Sequence, residues 1–311
     1  MAINLKEVSK KEDLFAPGHR ACRGCAEPII VRQVLLAAEG PVVAASPTGC
    51  LEIISSPFPY TSWRIPWIHS LFENASSTLA GAEAMYRSLV RQGKIEDRPI
   101  NFIAFGGDGA TYDIGLQWLS GVLERRHKLL YVCLNNEAYM NTGIQRSGAT
   151  PLGTWTTTTP AGKVIPGKPQ HRKNLMAIVL AHEIPYAAQA SPHAWRDLMT
   201  KAQKALAADG PSFIDALSPC PRGWRSRDDQ AIALGRLAAD TCVWPLYEVE
   251  NGKWTLNYRP KEKKPVTEWL KTQGRFAHLL NPANKAIVDQ LQEKVDRDWA
   301  NLLQRCGASK Q

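Results

Sequence analysis

Residues 105–141, FGGDGATYDIGLQWLSGVLERRHKLLYVCLNNEAYMN, constrain the fold more than any other stretch of this chain. An apolar run at residues 101–105 (NFIAF) breaks at Gly106-Gly107-Asp108-Gly109. Residues 113–126 are helical in pattern, and a second apolar run, LLYVCL, ends at Asn135-Asn136. Strand, helix and strand in that order make a βαβ unit. Its polar groups gather at the carboxyl ends of the strands, where open α/β sheets bind ligands.

Residue type suggests what such a site would take. Glycines allow close approach of backbone to a phosphate, and free N–H groups at the following helix start favour an anion. Asp108 offers a hard carboxylate oxygen and Asn136 a neutral amide oxygen. Magnesium shared with a diphosphate is bound by such a shell of one or two carboxylates, neutral oxygens and the phosphates themselves. A GDG triplet alone reads equally well as a turn with an aspartate cap. Followed after a helix by a strand ending in Asn-Asn, it becomes specific.

The rest of the chain is consistent with one large α/β body or two smaller ones: 311 residues, 44% apolar. No run of about 18 apolar residues is present, and the opening MAINLKEVSKKEDLF has no apolar signal core, so a soluble cytoplasmic protein is expected. The net charge of +9 suits an acidic protein partner or phosphate-bearing ligands. Lys and Arg are dispersed and no nucleic-acid signature is present, so neither nucleic acid nor membrane is an expected partner. Residues 27–38, 72–91, 175–181, 193–208, 228–241 and 282–304 have helical patterns, and residues 41–46 (PVVAAS) and 212–217 read as buried strands. An aromatic loop at 58–69 reads as a cofactor wall or subunit contact, residues 148–174 as an irregular functional segment, and 243–264 as a short β excursion. Residues 1–245 are expected to form the α/β domain and 246–311 a C-terminal extension that contacts a partner subunit.

Seven cysteines in such a chain point to metal or redox work over disulfides. Cys133 lies mid-strand and reads as a buried apolar residue, and Cys242 and Cys306 have no neighbours to pair with. Cys22-x-x-Cys25 precedes a helix, while Cys50 and Cys220 each follow a strand. If the sheet is parallel, those two strand ends share an edge with Asp108 and Asn136, and four thiolates converge there. Soft thiolates suit zinc or an iron–sulfur cluster, and scattered single ligands favour the cluster.

The GDG and Asn-Asn pairing resembles the thiamine diphosphate and Mg2+ signature of thiamine-dependent enzymes. With Glu137-Ala-Tyr-Met-Asn141-Thr-Gly, Thr156-Thr-Thr-Thr-Pro-Ala-Gly162, Gly18-His-Arg-Ala-Cys22-Arg-Gly-Cys25, Thr48-Gly-Cys50-Leu-Glu52 and Pro219-Cys220-Pro-Arg-Gly-Trp224, the chain resembles the β subunit of 2-oxoacid:ferredoxin oxidoreductases, nearest the pyruvate branch. The resemblance implies a doubly wound, mostly parallel α/β sheet of the pyrophosphate-domain type. It implies a [4Fe–4S] cluster on Cys22, Cys25, Cys50 and Cys220, and Mg2+ on Asp108, Asn136 and the Ala138 carbonyl. Thr48, Gly49, Gly107 and Gly109 would line the cofactor, and Asn141 would face the reacting centre as the catalytic residue. It also implies α and γ/δ-type partner subunits, ferredoxin as electron acceptor, a small 2-oxoacid as substrate and coenzyme A as optional co-substrate. A non-redox thiamine decarboxylase or synthase would not need the thiolates, and a zinc-stapled scaffold would not need the GDG and Asn-Asn pairing.

Three departures from the family pattern stand out. Ala26 replaces a glycine after the second cysteine, Tyr112 sits in the segment after GDG, and Arg222, Arg225 and Arg227 follow Cys220. The last two suggest added charge or changed size near the substrate, which keeps oxalate beside pyruvate. A solvated loop is the plainer role for the arginines.

Overall fold

The computed structural model describes residues 3–307. Its strands are β1 (Val42–Ser46), β2 (Trp67–His69), β3 (Asn101–Gly107), β4 (Leu130–Asn135), β5 (Tyr186–Ala190), β6 (Ser212–Leu217), β7 (Tyr247–Glu250) and β8 (Lys253–Leu256). They form one sheet in the order β2-β1-β3-β4-β6-β5-β7-β8. The first six of that order pair in parallel, and β7 and β8 close one side as antiparallel strands. β4 and β6 are buried at every position, which is why their sequences are continuous runs without polar alternation.

Successive side chains on a strand point to opposite faces, and each face is covered. On one, Ile103, Phe105, Val132 and Ile214 pack against helices Glu27–Ala37 and Trp195–Ala207 through Val34 and Leu198. On the other, Ala104, Tyr131, Cys133 and Phe213 meet helices Ala75–Arg91, Leu116–Glu124 and Leu175–Leu180. A third cluster joins Trp224 and Trp244 to Trp269, Phe276 and Leu291 from the end of the chain.

Several elements differ from the sequence reading, each for a physical reason. Trp67–His69 is a three-residue edge strand paired to β1 inside the expected aromatic loop, too short and too close to Pro66 to show a pattern. Tyr186–Ala190 (YAAQA) favours helix by composition, yet it is held extended between β6 and β7, so tertiary pairing overrides propensity. The helix expected from residue 113 begins earlier, as a π-helical turn Gly109–Ile114 directly after Asp108, and continues as the α-helix Leu116–Glu124. Wide turns of this kind recur at functional sites.

The residues expected as an extension from 246 begin inside the same sheet. β7 and β8 extend the same sheet, and the following residues Val266, Trp269, Leu270 and Phe276 are fully buried in the third cluster. No helix among the described residues is long and apolar enough to cross a membrane.

Candidate active site

β1, β3, β4 and β6 are parallel neighbours, so Pro47, Asp108, Asn136 and Ser218 leave the sheet along one edge. The strand order turns between β1 and β3, as a topological switch point does. A cleft opens there. Thr48, Gly49, Gly107, Asp108, Gly109, Asn136, Ala138 and Asn141 all line it, together with Glu27, Cys50 and Tyr139.

Asp108 is completely buried and stands at the start of the π-helical turn, but its side chain makes no capping bond. Its carboxylate accepts from the Ser147 hydroxyl at 2.5 Å and from the Asn136 amide at 3.3 Å. Burial pushes its pKa well above the usual carboxylate range, against the Ser147 bond, and the nearby Glu137 charge adds to the rise. A buried carboxylate with hydrogen bonds but no cationic partner is the kind of group a divalent ion would hold in its charged form. Beside it, the Asn136 side chain accepts from the Ala138 amide at 3.3 Å and donates to Glu27 at 3.0 Å.

The glycines have separate jobs. A Cβ on Gly107 would meet nothing within 4 Å, so its backbone borders open cleft. A Cβ on Gly109 would lie 2.3 Å from the Tyr139 ring, whose hydroxyl donates to the Gly109 carbonyl at 3.1 Å. The ring thereby closes over the turn, and any larger residue would displace it.

Two site residues were not anticipated. Ser147 lies in an otherwise irregular segment, and its partnership with Asp108 has no local signature. Glu27 looked like an ordinary first-turn acid of its helix. It is buried, its Oε2 has no partner, and burial raises its pKa to about 7. The chemistry of the cleft (an orphaned carboxylate oxygen, a buried aspartate, an amide oxygen and bare glycine backbone) fits a magnesium diphosphate with a polar organic head.

Of the four candidate cysteines Cys50 lines this cleft, and Cys25 and Cys220 lie near enough for their charges to act on it. The Cys25 amide bonds the Cys22 carbonyl at 3.1 Å, closing a turn whose Gly24 adopts φ +70°. A Cβ there would fall 1.8 Å from the Asp228 carbonyl, so only glycine fits between the cysteines. Cys50 opens the helix Cys50–Ser55, and Cys220 caps the short helix Pro221–Trp224, accepting from the Gly223 amide at 3.4 Å.

Burial raises the pKa of Cys25 and Cys50 strongly and that of Cys220 to about 11, with further increments from Glu27 and from each other's charge. Asn141, which lines the cleft with Cys50, opposes that rise. The thiols are therefore close enough to feel one another. Even so, no group of three or more His, Cys, Asp or Glu among the described residues is drawn around one point closely enough for a single metal ion. Cys133 and Cys242 are buried in the hydrophobic clusters, and Cys306 follows the last helix.

The departures that suggested a changed substrate lie elsewhere. Tyr112 is buried, donating to Asp215 at 2.5 Å and accepting from Asn135 at 3.0 Å. It borders a second, larger cavity of about 220 Å3, with Trp244 and Leu302, not the cleft. Arg222 is exposed, Arg225 stacks 3.6 Å over Trp155, and Arg227 pairs with Asp229 at 2.8 Å on the surface. None lines the cleft.

Residues 47–216 match the family described as thiamine pyrophosphate enzyme, C-terminal TPP binding domain, so fold and site define a thiamine-dependent enzyme. The pyruvate synthase subunit PorB of Thermotoga maritima is 52% identical over 97% of this chain and 96% of its own length. The ketoisovalerate oxidoreductase subunit VorB of Pyrococcus abyssi is 44% identical, covering 94% of this chain and 93% of itself. The chain belongs to the β subunits of the 2-oxoacid:ferredoxin oxidoreductases. A solved 2-oxoglutarate:ferredoxin oxidoreductase from Magnetococcus marinus shares the fold at a TM-score of 0.53 and 21% identity, over 70% of this chain and 77% of that one.

Proposed function

We propose that this subunit carries thiamine diphosphate, Mg2+ and a [4Fe–4S] cluster in a cytoplasmic complex that oxidatively decarboxylates pyruvate and reduces ferredoxin. The observation that carries the reading is that Cys50 lines the same cleft as Asp108 and Asn136. A thiamine site beside thiolates has an outlet for electrons, which a non-redox thiamine enzyme does not need.

Asp108, the Asn136 amide oxygen and the Ala138 carbonyl would hold the metal, with Ser147 orienting the Asp108 carboxylate. Thr48, Gly49, Gly107 and Gly109 would border the diphosphate. When bound, the thiazolium supplies the electron sink that lets the bond between carboxylate and carbonyl break. The chain's own residues bind, orient and exclude water: Tyr139 closes over Gly109, and Asn141 lines the cleft with Cys50. α and γ/δ-type subunits would complete the site, and coenzyme A would take up the acyl group.

Among small 2-oxoacids, pyruvate is favoured by the 52% identity to the Thermotoga maritima PorB subunit, although VorB at 44% stands above the Pyrococcus PorB subunits at 42%. The residues that had kept oxalate in view, Tyr112 and the three arginines, do not border the cleft. The test is reduction of ferredoxin or a viologen by the purified complex, with and without coenzyme A. Pyruvate should exceed ketoisovalerate in kcat/KM by about tenfold or more, the usual worth of extra methyl groups in a fitted pocket. Faster reduction with ketoisovalerate, oxalate or 2-oxoglutarate would overturn the substrate assignment.

A further inference from the structure

Glu137 directly follows Asn136, is fully buried, and holds a left-handed φ of +69°. A non-glycine residue persists there only when its surroundings over-determine it. Its Oε2 accepts from Arg275 at 2.5 Å and its Oε1 lies 2.9 Å from Arg172, so this carboxylate is committed away from the cleft. Arg275, 1% exposed, comes from the C-terminal extension, and Gln273 accepts from its Nε at 2.9 Å and its Nη2 at 2.7 Å.

The guanidinium stacks 4.1 Å from the centre of the Trp224 ring. The Trp224 indole N–H in turn donates to the Asn136 carbonyl at 2.8 Å, and the Trp224 amide bonds the Cys220 carbonyl at 2.8 Å. One buried relay therefore runs from Arg275 through Trp224 to both the Asn136 loop and the Cys220 loop.

We infer that Arg275, with Glu137 and Trp224, is a positioning device that fixes the Asn136–Ala138 loop for its metal and ties that loop to the cysteine at Cys220. The inference rests on the reading above that Asn136 and Ala138 hold Mg2+. A buried ion pair is poor evidence of added stability but suits the fixing of one geometry. Arginine serves here where lysine would not, since one planar guanidinium forks onto Gln273 through Nε and Nη2, gives Nη2 to the Glu137 carboxylate and stacks on the indole at once. The C-terminal segment is then a functional part of the site.

The test uses the whole complex, depleted of thiamine diphosphate and still carrying its iron. Mg2+ is titrated at saturating thiamine diphosphate by calorimetry, for wild type, Trp224→Phe and Arg275→Lys. Trp224→Phe keeps an aromatic ring for Arg275 and loses only the N–H. It should raise the Mg2+ concentration for half-saturation about tenfold, as the loss of one buried hydrogen bond does, with iron per chain unchanged. Arg275→Lys should shift it in the same direction by at least as much; if that variant does not fold, Trp224→Phe decides alone. Wild-type Mg2+ affinity in Trp224→Phe, even with a lowered melting temperature, would overturn the inference while leaving the cofactor reading intact. Thiamine diphosphate binding by the wild type with no Mg2+ dependence would overturn the cofactor reading and the inference together.

Discussion

Asp108→Ala is expected to weaken Mg2+-dependent binding of thiamine diphosphate by more than about a hundredfold while the subunit stays folded, since even outer-shell changes at metal sites cost 10–100-fold. The physical reason lies in the environment of the carboxylate. Asp108 is buried with only the Ser147 hydroxyl and the Asn136 amide as partners, and burial raises its pKa well above the usual range. In the apoprotein its removal lifts a desolvation cost and leaves the Ser147 hydroxyl and the Asn136 backbone N–H without that acceptor. These effects are of opposite sign and about 1–3 kcal/mol each. The apoprotein should therefore melt within a few degrees of wild type. The stabilisation that saturating cofactor gives, about 2.7 kcal/mol at a hundred times Kd, should vanish. Calorimetric titration and thermal melts with and without cofactor measure both. Wild-type affinity in Asp108→Ala would remove this residue from the metal site.

Cys50→Ser and Cys220→Ser should each lose the cluster, whereas Cys133→Ser should keep it. Cys50 and Cys220 lie just beyond strand ends; the charges of Glu27, Cys220 and Cys25 act on Cys50, and those of Glu27 and Cys22 act on Cys220. Four such groups cannot all ionise without metal charge to offset their repulsion. Cys133 is buried mid-strand among Tyr131, Phe213 and Leu119, and its conversion to serine only adds polarity to a core. Iron and acid-labile sulfide on anaerobically purified complex should fall by about four irons per chain in the first two variants and remain unchanged in the third. Zinc in place of iron, or iron loss confined to Cys133→Ser, would contradict the assignment.

The legible parts of this molecule were those where one residue type in one register has few alternatives. The run LLYVCL could only be a strand buried on both faces, and it is. Because β1, β3, β4 and β6 are parallel neighbours, Cys50, Asp108, Asn136 and Cys220 fall at one edge, as their positions just beyond apolar runs implied. Contacts across large sequence separations were not legible. Ser147 reaches Asp108 over 39 residues and Arg275 reaches Glu137 over 138, and neither end carries a local mark of its partner. The residues from 246, expected to be an extension contacting a partner subunit, carry no local mark of what they pack against within this chain. Arg275 and Trp269, which they contribute, are buried and pack against each other, and Arg275 pairs with Glu137 beside Asn136. Tyr112 shows the opposite error. It stands four residues from Asp108 in sequence, yet the π-helical turn aims it at Asp215 and away from the cleft.

The central claim is that a thiamine site at Asp108 feeds electrons to thiolate-bound iron beside it. Electron paramagnetic resonance on the anaerobic complex, given pyruvate and coenzyme A but no ferredoxin, tests it most directly. Wild type should develop the signal of a reduced cluster, and iron-replete Asp108→Ala should not, although dithionite reduces both. A pyruvate-dependent cluster signal of full size in Asp108→Ala, or none in wild type with its iron and thiamine diphosphate complete, would contradict the account.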